Sequence, residues 1–200
     1  MTTVLPCPRW CVEHESPDPT EPGDGGRHGG QELPVLLDMP TQSTIPVVFV
    51  QANAHDRHGV RVSWIDLVMP SREHAELTLA QARQVADVLI AGGDSWDADK
   101  CTVRTCPPQC CPSWCEQHDE AIDPSADRWH GGPVCAVPVA GPKLSGADVQ
   151  VRLCAKDIRR RRQVSVGLTV WNDTVTELTG PQARRLAAAL LNVADDLCCA

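Results

Sequence analysis

Two groups of cysteine and histidine residues have the types and the spacing that a metal ion requires. In each group, three residues separate two cysteines, a histidine lies three positions after the second cysteine, and another histidine lies farther along the chain. The eight residues are Cys7, Cys11, His14, His28, Cys111, Cys115, His118 and His130. Thiolate and imidazole are the donors with which four protein ligands hold zinc in a tetrahedral site. The sequence therefore predicts one Zn2+ ion in each group, which gives two per chain.

The two groups belong to a longer pattern that occurs twice in the chain. Three stretches recur in the same order: CPRWCVEH (7–14) and CPSWCEQH (111–118), RHGG (27–30) and WHGG (129–132), ELTLAQARQVADVL (76–89) and ELTGPQARRLAAAL (177–190). Their nearly constant separation indicates a tandem duplication. We predict a first repeat unit at residues 1–92, a linker with cysteine and proline at 93–110, and a second repeat unit at 111–200.

An arrangement without a metal would also account for these cysteines. They could be buried thiols or a local disulfide, with the histidines as hydrogen-bonded core or turn residues. Disulfides are rare in the reducing cytoplasm, which favours the metal interpretation. Within each group the cysteines are the firmer candidates, because His14 and His118 could support a ligand instead of binding the ion.

The composition is that of a globular chain. Of its 200 residues, 42% are apolar and 22% are charged, and the net charge is −8. The longest apolar runs fall far short of the roughly 20 residues that cross a bilayer. The N-terminus also lacks the basic start and apolar stretch of a secretory signal. We therefore expect a cytoplasmic protein that does not contact a membrane.

Alternating apolar residues predict an antiparallel hairpin in each unit. The hairpin strands are expected at residues 47–50 and 60–68 in the first unit and at 149–153 and 164–170 in the second. Residues 33–37 and 134–139 can each add a third strand, although a proline limits it to a sheet edge. Each unit thus provides at least one small antiparallel sheet.

An amphipathic helix is predicted at the C-terminal end of each unit. Thr78 and Thr179 can cap the helix start, apolar residues follow at helical spacing, and Gly92 predicts the end of the first helix. The predicted fold class is α+β, with two homologous small units. Each has a Cys/His zinc-type loop, an antiparallel β-hairpin or three-stranded sheet, and a C-terminal helix. A core of this size is marginal, and a metal ion is a common supplement to it.

The repeated motifs resemble those of a known family. The resemblance is carried by CPxWC with a following histidine, then HxG, a hairpin, and a C-terminal LTxxQAR helix, and it extends over nearly all of both units. These features are similar to those of uncharacterised small proteins common in actinobacteria, usually present as a single copy. Because that family has no known function, the resemblance implies a fold and an origin but no activity.

A run of four arginines suggests an alternative function. Arg159, Arg160, Arg161 and Arg162 fall at the predicted tip of the second hairpin, where they could bind the phosphates of nucleic acid. The acidic net charge argues against a general nucleic-acid binder, and runs of this kind are commonly solvated loops. A nucleic-acid-binding regulator is therefore the second hypothesis.

The leading hypothesis is a non-enzymatic interaction or regulatory protein stabilised by zinc, with an unknown protein as its partner. Four protein ligands leave no open position on the ion, whereas catalytic zinc usually keeps one. The third hypothesis is a metal-dependent hydrolase with three protein ligands and Glu13 or Glu116 as the base. No common hydrolase or phosphate-binding motif is present, which lowers the expectation of an enzyme.

Overall fold

The computed structural model describes nine segments of the chain: residues 5–21, 23–37, 47–70, 74–102, 111–118, 128–141, 144–158, 161–170 and 175–198. Within them, only the backbone is described for residues 98–102, 140–141, 144–147 and 161. In this part of the chain no helix is long and apolar enough to cross a membrane.

Each repeat forms an antiparallel sheet followed by one long helix. The first repeat contains β1 (Cys11–Glu15), β2 (Asp24–Gly30), β3 (Leu33–Leu36), β4 (Val47–Arg57), β5 (Val60–Val68), β6 (His74–Leu77) and α1 (Leu79–Thr102). The second contains β7 (Gln117–His118), β8 (Arg128–Gly131), β9 (Cys135–Gly141), β10 (Leu144–Ile158), β11 (Arg161–Val170), β12 (Thr176–Leu178) and α2 (Gly180–Cys198). The predicted α+β class with a C-terminal helix in each unit is confirmed.

The two sheets have the same topology. The order is β1-β2-β4-β5-β6 in the first and β7-β8-β10-β11-β12 in the second, and β3 and β9 pair with β4 and β10 respectively. Among the described residues each sheet therefore has six strands, more than the three predicted. Of the three additional strands in the first repeat, β1 and β2 come from the segment predicted to be a zinc-type loop, and β6 directly precedes the helix. The Gly-rich sequence of β2 has little intrinsic strand preference, but pairing with β4 holds it extended.

The hairpin of β4 and β5 shows how the sequence pattern produces the sheet. Side chains on β4 alternate strictly between buried and half-buried positions, as expected of a strand with one face on the core. His58 and Gly59 connect the strands with φ values of 52° and 77°. A two-residue turn with both central residues at positive φ matches the twist of the strands it joins.

Both helices begin where the sequence predicts. At the first, Thr78 N donates to Gln81 Oε1 at 2.8 Å and Gln81 N donates to Thr78 Oγ1 at 3.3 Å. Thr179 and Gln182 repeat the arrangement, with 2.7 and 3.4 Å for the same two contacts. This reciprocal bonding satisfies N–H groups that have no partner within the helix.

The predicted end of the first helix at Gly92 is wrong, because α1 continues to Thr102. The glycines serve close packing instead. A Cβ atom on Gly92 would lie 3.2 Å from Val166 Cγ1, and one on Gly93 would lie 3.1 Å from the carbonyl oxygen of Gly180. Both of these neighbouring atoms belong to the other repeat, and a larger side chain at either glycine would force them to shift. The helix therefore continues through Gly92 and Gly93.

The two helices pack against each other, and each contacts the sheet of the other repeat more than its own. Helix α1 contacts β9, β10 and β11 more extensively than its own sheet, and α2 contacts β3, β4 and β5. The indole Nε1 of Trp96, on α1, donates to the carbonyl oxygen of Val164 at 2.7 Å. The side chain of Gln182, on α2, donates to the carbonyl oxygen of Leu36 at 3.3 Å. The described core residues of both repeats form one continuous cluster, so the two copies share a core.

Candidate metal centres

The two cysteines of each group lie at the ends of a tight turn. Cys11 N donates to the carbonyl oxygen of Pro8 at 3.1 Å, and Cys115 N donates to that of Pro112 at 3.0 Å. These hydrogen bonds bring the first cysteine of each motif back toward the second. The thiol of Cys11 also donates to the carbonyl oxygen of Glu13, on β1, at 2.9 Å. The turn and the sheet thus fix the sulfur positions together.

The sheet register brings the two histidines of each group face to face. His14 on β1 pairs with His28 on β2, and His118 on β7 pairs with His130 on β8. Residues directly opposite each other in an antiparallel ladder have Cβ atoms about 4.5–5.5 Å apart. Strand pairing therefore closes the distance of about a dozen residues that separates the histidines along the chain.

In the first group all four predicted ligands converge. His28 Nδ1 lies 3.5 Å from Cys7 Sγ, 3.6 Å from Cys11 Sγ and 3.1 Å from His14 Nδ1. The four donor atoms all lie within 4.8 Å of one another. Bond lengths to a tetrahedral zinc ion place such donors about 3.3–3.8 Å apart. The donor set therefore fits a tetrahedral ion in type, and the distances from His28 Nδ1 to the other three donors are close to those of such a site.

The second group is less compact. Cys111, Cys115 and His118 offer donor atoms within 4.8 Å of one another, and His130 lies outside this set of three. His130 Nδ1 still lies 3.5 Å from Cys115 Sγ, so it faces the group. The ring centroids of His118 and His130 are 6.3 Å apart, against 4.8 Å for His14 and His28. Both groups could hold a metal ion, and the first is the better assembled.

Glycine beside each second histidine makes room for a tryptophan. A Cβ atom on Gly30 would lie 3.3 Å from Trp10 Cε3, and one on Gly132 would lie 3.2 Å from Trp114 Cε3. The indole Nε1 atoms of both tryptophans are buried and have no hydrogen-bond partner among the described residues. Each indole ring thus packs over the chain next to the second histidine, where it would limit the access of water to the Cys/His group.

A buried carboxylate lies behind each second histidine, and it is not predicted from the sequence. Asp56 Oδ2 lies 3.1 Å from His28 Nε2, and Asp157 Oδ2 lies 3.0 Å from His130 Nε2. The available signal was an aspartate followed five residues later by an arginine in both hairpins. Without the register of the strands, nothing in the sequence connects this pair to the histidines.

An arginine holds each of these carboxylates in a bidentate ion pair. Arg61 donates from Nε and Nη2 to the two oxygens of Asp56, at 2.6 Å in each case. Arg162 donates from the same two atoms to Asp157, at 2.8 Å in each case. Hydrogen bonds from Arg61 hold the pKa of Asp56 below its usual value. Burial would raise the pKa of Asp157, but the bonds from Arg162 and His130 outweigh it and the pKa is lowered.

The pKa of the second cysteine in each group is raised, whereas the pKa values of the two aspartates are lowered. Burial, together with the hydrogen bond and charge of Cys7, raises the pKa of Cys11. Burial and the charge of Cys111 raise the pKa of Cys115. Two thiolates side by side repel each other, and a bound cation removes this repulsion. The geometry therefore favours a cation between the sulfurs.

The predicted arginine patch is not four free side chains. The side chain of Arg162 is only 9% exposed and is bound to Asp157. Arg159 and Arg160 lie outside the described residues, as does the side chain of Arg161. Arg162 thus lies on β11 with its side chain against the buried carboxylate, and phosphate binding by the arginine run stays a prediction. Glu13 and Glu116, the bases of the hydrolase hypothesis, are exposed.

One family model matches the chain twice. It is described as a domain of unknown function (DUF6907), and it matches residues 1–99 and again residues 94–198. The chain belongs to this family. The two successive matches confirm that the protein is a tandem duplicate of an uncharacterised DUF6907 domain. No curated protein and no solved structure matches the chain.

Proposed function

We propose that the protein is a non-enzymatic interaction protein in which each DUF6907 copy is stabilised by one zinc ion. The observation that carries the proposal is the convergence of Cys7, Cys11, His14 and His28, whose four donor atoms lie within 4.8 Å of one another. The repeated motif extends the proposal to Cys111, Cys115, His118 and His130. His14 and His118 are then ligands, because strand pairing places each opposite the second histidine.

The donor chemistry supports zinc over other metals. Two thiolates and two imidazoles suit a tetrahedral zinc ion, whereas magnesium and calcium take oxygen ligands. Four protein donors also complete the coordination, which is typical of a structural ion. Zinc would then hold the Cys-Pro-x-Trp-Cys turn against the two paired histidines. Trp10, in the first of these turns, packs against the edge of the shared core.

Metal analysis of the purified full chain tests the proposal. We expect two zinc ions per chain under reducing conditions and one after the double substitution Cys7→Ser with Cys11→Ser. Cys135→Ser is the matched control, because Cys135 is an exposed free thiol that belongs to neither group. A chain that contains no metal and stays unloaded in excess zinc would overturn the proposal in favour of buried thiols.

The competing functions predict different results. A nucleic-acid-binding regulator would bind DNA or RNA with an affinity that falls steeply with salt, and would lose it on substitution of Arg159, Arg160 and Arg161 by alanine. A hydrolase would need a water molecule on the ion, with Glu13 or Glu116 close to it. Oxygen coordination in the zinc-loaded protein would favour the hydrolase, and salt-sensitive nucleic-acid binding would favour the regulator.

A further inference from the structure

A buried ion pair stands behind the second histidine of each Cys/His group. His28, Asp56, His130 and Asp157 are only 1–8% exposed. Charged groups are rarely buried unless other groups compensate the loss of hydration. In each repeat the bidentate arginine supplies this compensation, and the histidine occupies the remaining side of the carboxylate. Such an arrangement is costly to build and is present twice in one chain.

The carboxylate determines which histidine nitrogen carries the proton. An ionised carboxylate only accepts hydrogen bonds, so the nitrogen that faces it must donate. Asp56 faces Nε2 of His28. Arg61 Nη2 also lies 3.3 Å from this nitrogen, but its two N–H groups already donate to Asp56 and Pro6, so Nε2 donates to Asp56 and Nδ1 keeps the free lone pair. That lone pair points to Cys7 Sγ, Cys11 Sγ and His14 Nδ1, at 3.1–3.6 Å. Asp157 imposes the same tautomer on His130, whose Nδ1 faces Cys115 Sγ at 3.5 Å.

We infer that Asp56 with Arg61, and Asp157 with Arg162, are positioning pairs that present Nδ1 of His28 and of His130 to the metal. The inference rests on the proposed metal sites and assigns a role to four residues outside their ligand sets. A carboxylate that accepts the second ring N–H of a histidine fixes the ring orientation and strengthens it as a ligand. The arginine acts one step farther out by holding the carboxylate in place.

In the first repeat the arginine also holds the segment that leads into the cysteine turn. Arg61 Nη2 donates to the carbonyl oxygen of Pro6 at 2.9 Å as well as to Asp56. Pro6 directly precedes Cys7, so one guanidinium group connects the orientation of His28 with the position of a thiol. The tip of the β4–β5 hairpin therefore supports both a histidine and a cysteine of the proposed metal site.

Comparison of the hairpin tips separates this role from simple turn formation. The first reads AHDRHGVR at residues 54–61 and the second reads AKDIRRRR at residues 155–162. Apart from the leading alanine, only the aspartate and the final arginine are shared. The intervening residues differ in charge and size, so the common feature is the pair that reaches the histidine. Arg162 thereby acquires a metal-site role in place of the phosphate-binding role predicted from sequence.

Zinc affinity of the full chain, measured by competition with a chelator of known affinity, tests the inference. We expect Asp56→Asn to weaken one of the two ions by about 10- to 100-fold and to leave the other unchanged. Asp157→Asn should weaken the other ion by a similar factor. Asp66→Asn is the matched control, because Asp66 also accepts two side-chain hydrogen bonds on this hairpin, from Asn53 and Trp64, and belongs to neither group. It should change neither affinity.

A second measurement needs no substitution and so does not depend on a variant that folds. Long-range nitrogen–proton NMR of the zinc-loaded chain reports which ring nitrogen of His28 binds the ion. We expect Nδ1 on the metal and a proton on Nε2. Nε2 coordination, or an Asp56→Asn variant that binds both ions as tightly as the unsubstituted chain, would overturn the positioning role and leave the metal sites standing. If the unsubstituted chain bound no zinc, both proposals would fail.

Discussion

The first and second Cys/His groups derive from the same motif but are closed to different degrees. In the first, four donor atoms lie within 4.8 Å of one another, whereas in the second only three do. The member outside the compact set of the second group is His130, although its Nδ1 still lies 3.5 Å from Cys115 Sγ. The two histidine rings are also farther apart there, with centroids separated by 6.3 Å against 4.8 Å in the first group. The same ligand types therefore do not by themselves make an equally complete site, because the spacing of the histidines differs.

The comparison also shows what both groups retain. Each second histidine is buried and bonded to an aspartate that an arginine clamps. That half of the site is the same in the two repeats and belongs to the sheet. What differs is how closely the other three donors gather around this histidine. Metal binding should therefore draw the cysteine turn and the first histidine toward a second histidine that is already fixed.

The largest expected effect is loss of a metal ion from the first group. With free zinc at about a thousand times the dissociation constant, binding stabilises a protein by roughly 4 kcal/mol. Cys7→Ser with Cys11→Ser should lower the free energy of unfolding by this order in zinc-containing buffer, and Cys111→Ser with Cys115→Ser by less. Denaturant unfolding with and without zinc measures both. Equal losses would mean that the better-assembled group is not the tighter one.

A smaller effect tests whether the repeats share one core. Trp96 lies on the helix of the first repeat, but its indole N–H bonds to Val164 in the sheet of the second. Trp96→Phe leaves that carbonyl without its partner, at a cost of about 1–3 kcal/mol. Hydrogen exchange should then increase in β11 of the second repeat as well as in α1. A loss of protection restricted to α1 would contradict the packing of each helix against the sheet of the other repeat.

The two groups should also release zinc at different pH values. Ligand thiols must lose their protons to bind, so zinc affinity falls as the pH falls. The raised pKa values of Cys11 and Cys115 in the metal-free protein mean that protons already compete near neutral pH. Because the second group is less closed, it should bind more weakly and release its ion at a higher pH than the first. A chromogenic chelator would follow two steps, and a single step would show that the groups are equivalent.

The smallest expected effect concerns a charge contact between the repeats. Arg184 on α2 pairs with Asp94 and Asp97 on α1, and all three side chains are at least one-third exposed. Exposed ion pairs contribute about 0–1 kcal/mol. Arg184→Ala should therefore lower the unfolding free energy by less than Trp96→Phe does. A larger loss in thermal unfolding would show that charge, and not the buried core, joins the two copies.

The sequence predicted those parts of the molecule that depend on local pattern. The repeated Cys/His motifs predicted which residues come together in each candidate group, alternating apolar residues located the hairpins, and Thr78 and Thr179 marked the helix starts. Strand β2 was missed because DGGRHGG carries no strand pattern, and its conformation depends on pairing with β4.

Features that depend on contacts between distant residues could not be predicted. Asp56 lies 28 residues from His28 along the chain, and only the register of β2 against β4 brings them together. Gly92 predicts a helix end, because glycine is common where helices end. The close approach of Val166, on the other repeat, explains it instead. The packing of each helix on the sheet of the other repeat could not be predicted either, because both copies carry similar helix and strand patterns.

X-ray absorption spectroscopy at the zinc edge of the fully loaded chain tests the central claim most directly. Two sulfurs at about 2.3 Å and two nitrogens at about 2.0–2.1 Å around each ion are the predicted result. A first coordination sphere of oxygen and nitrogen alone would contradict the account, because the ion would then lie outside the cysteine turns.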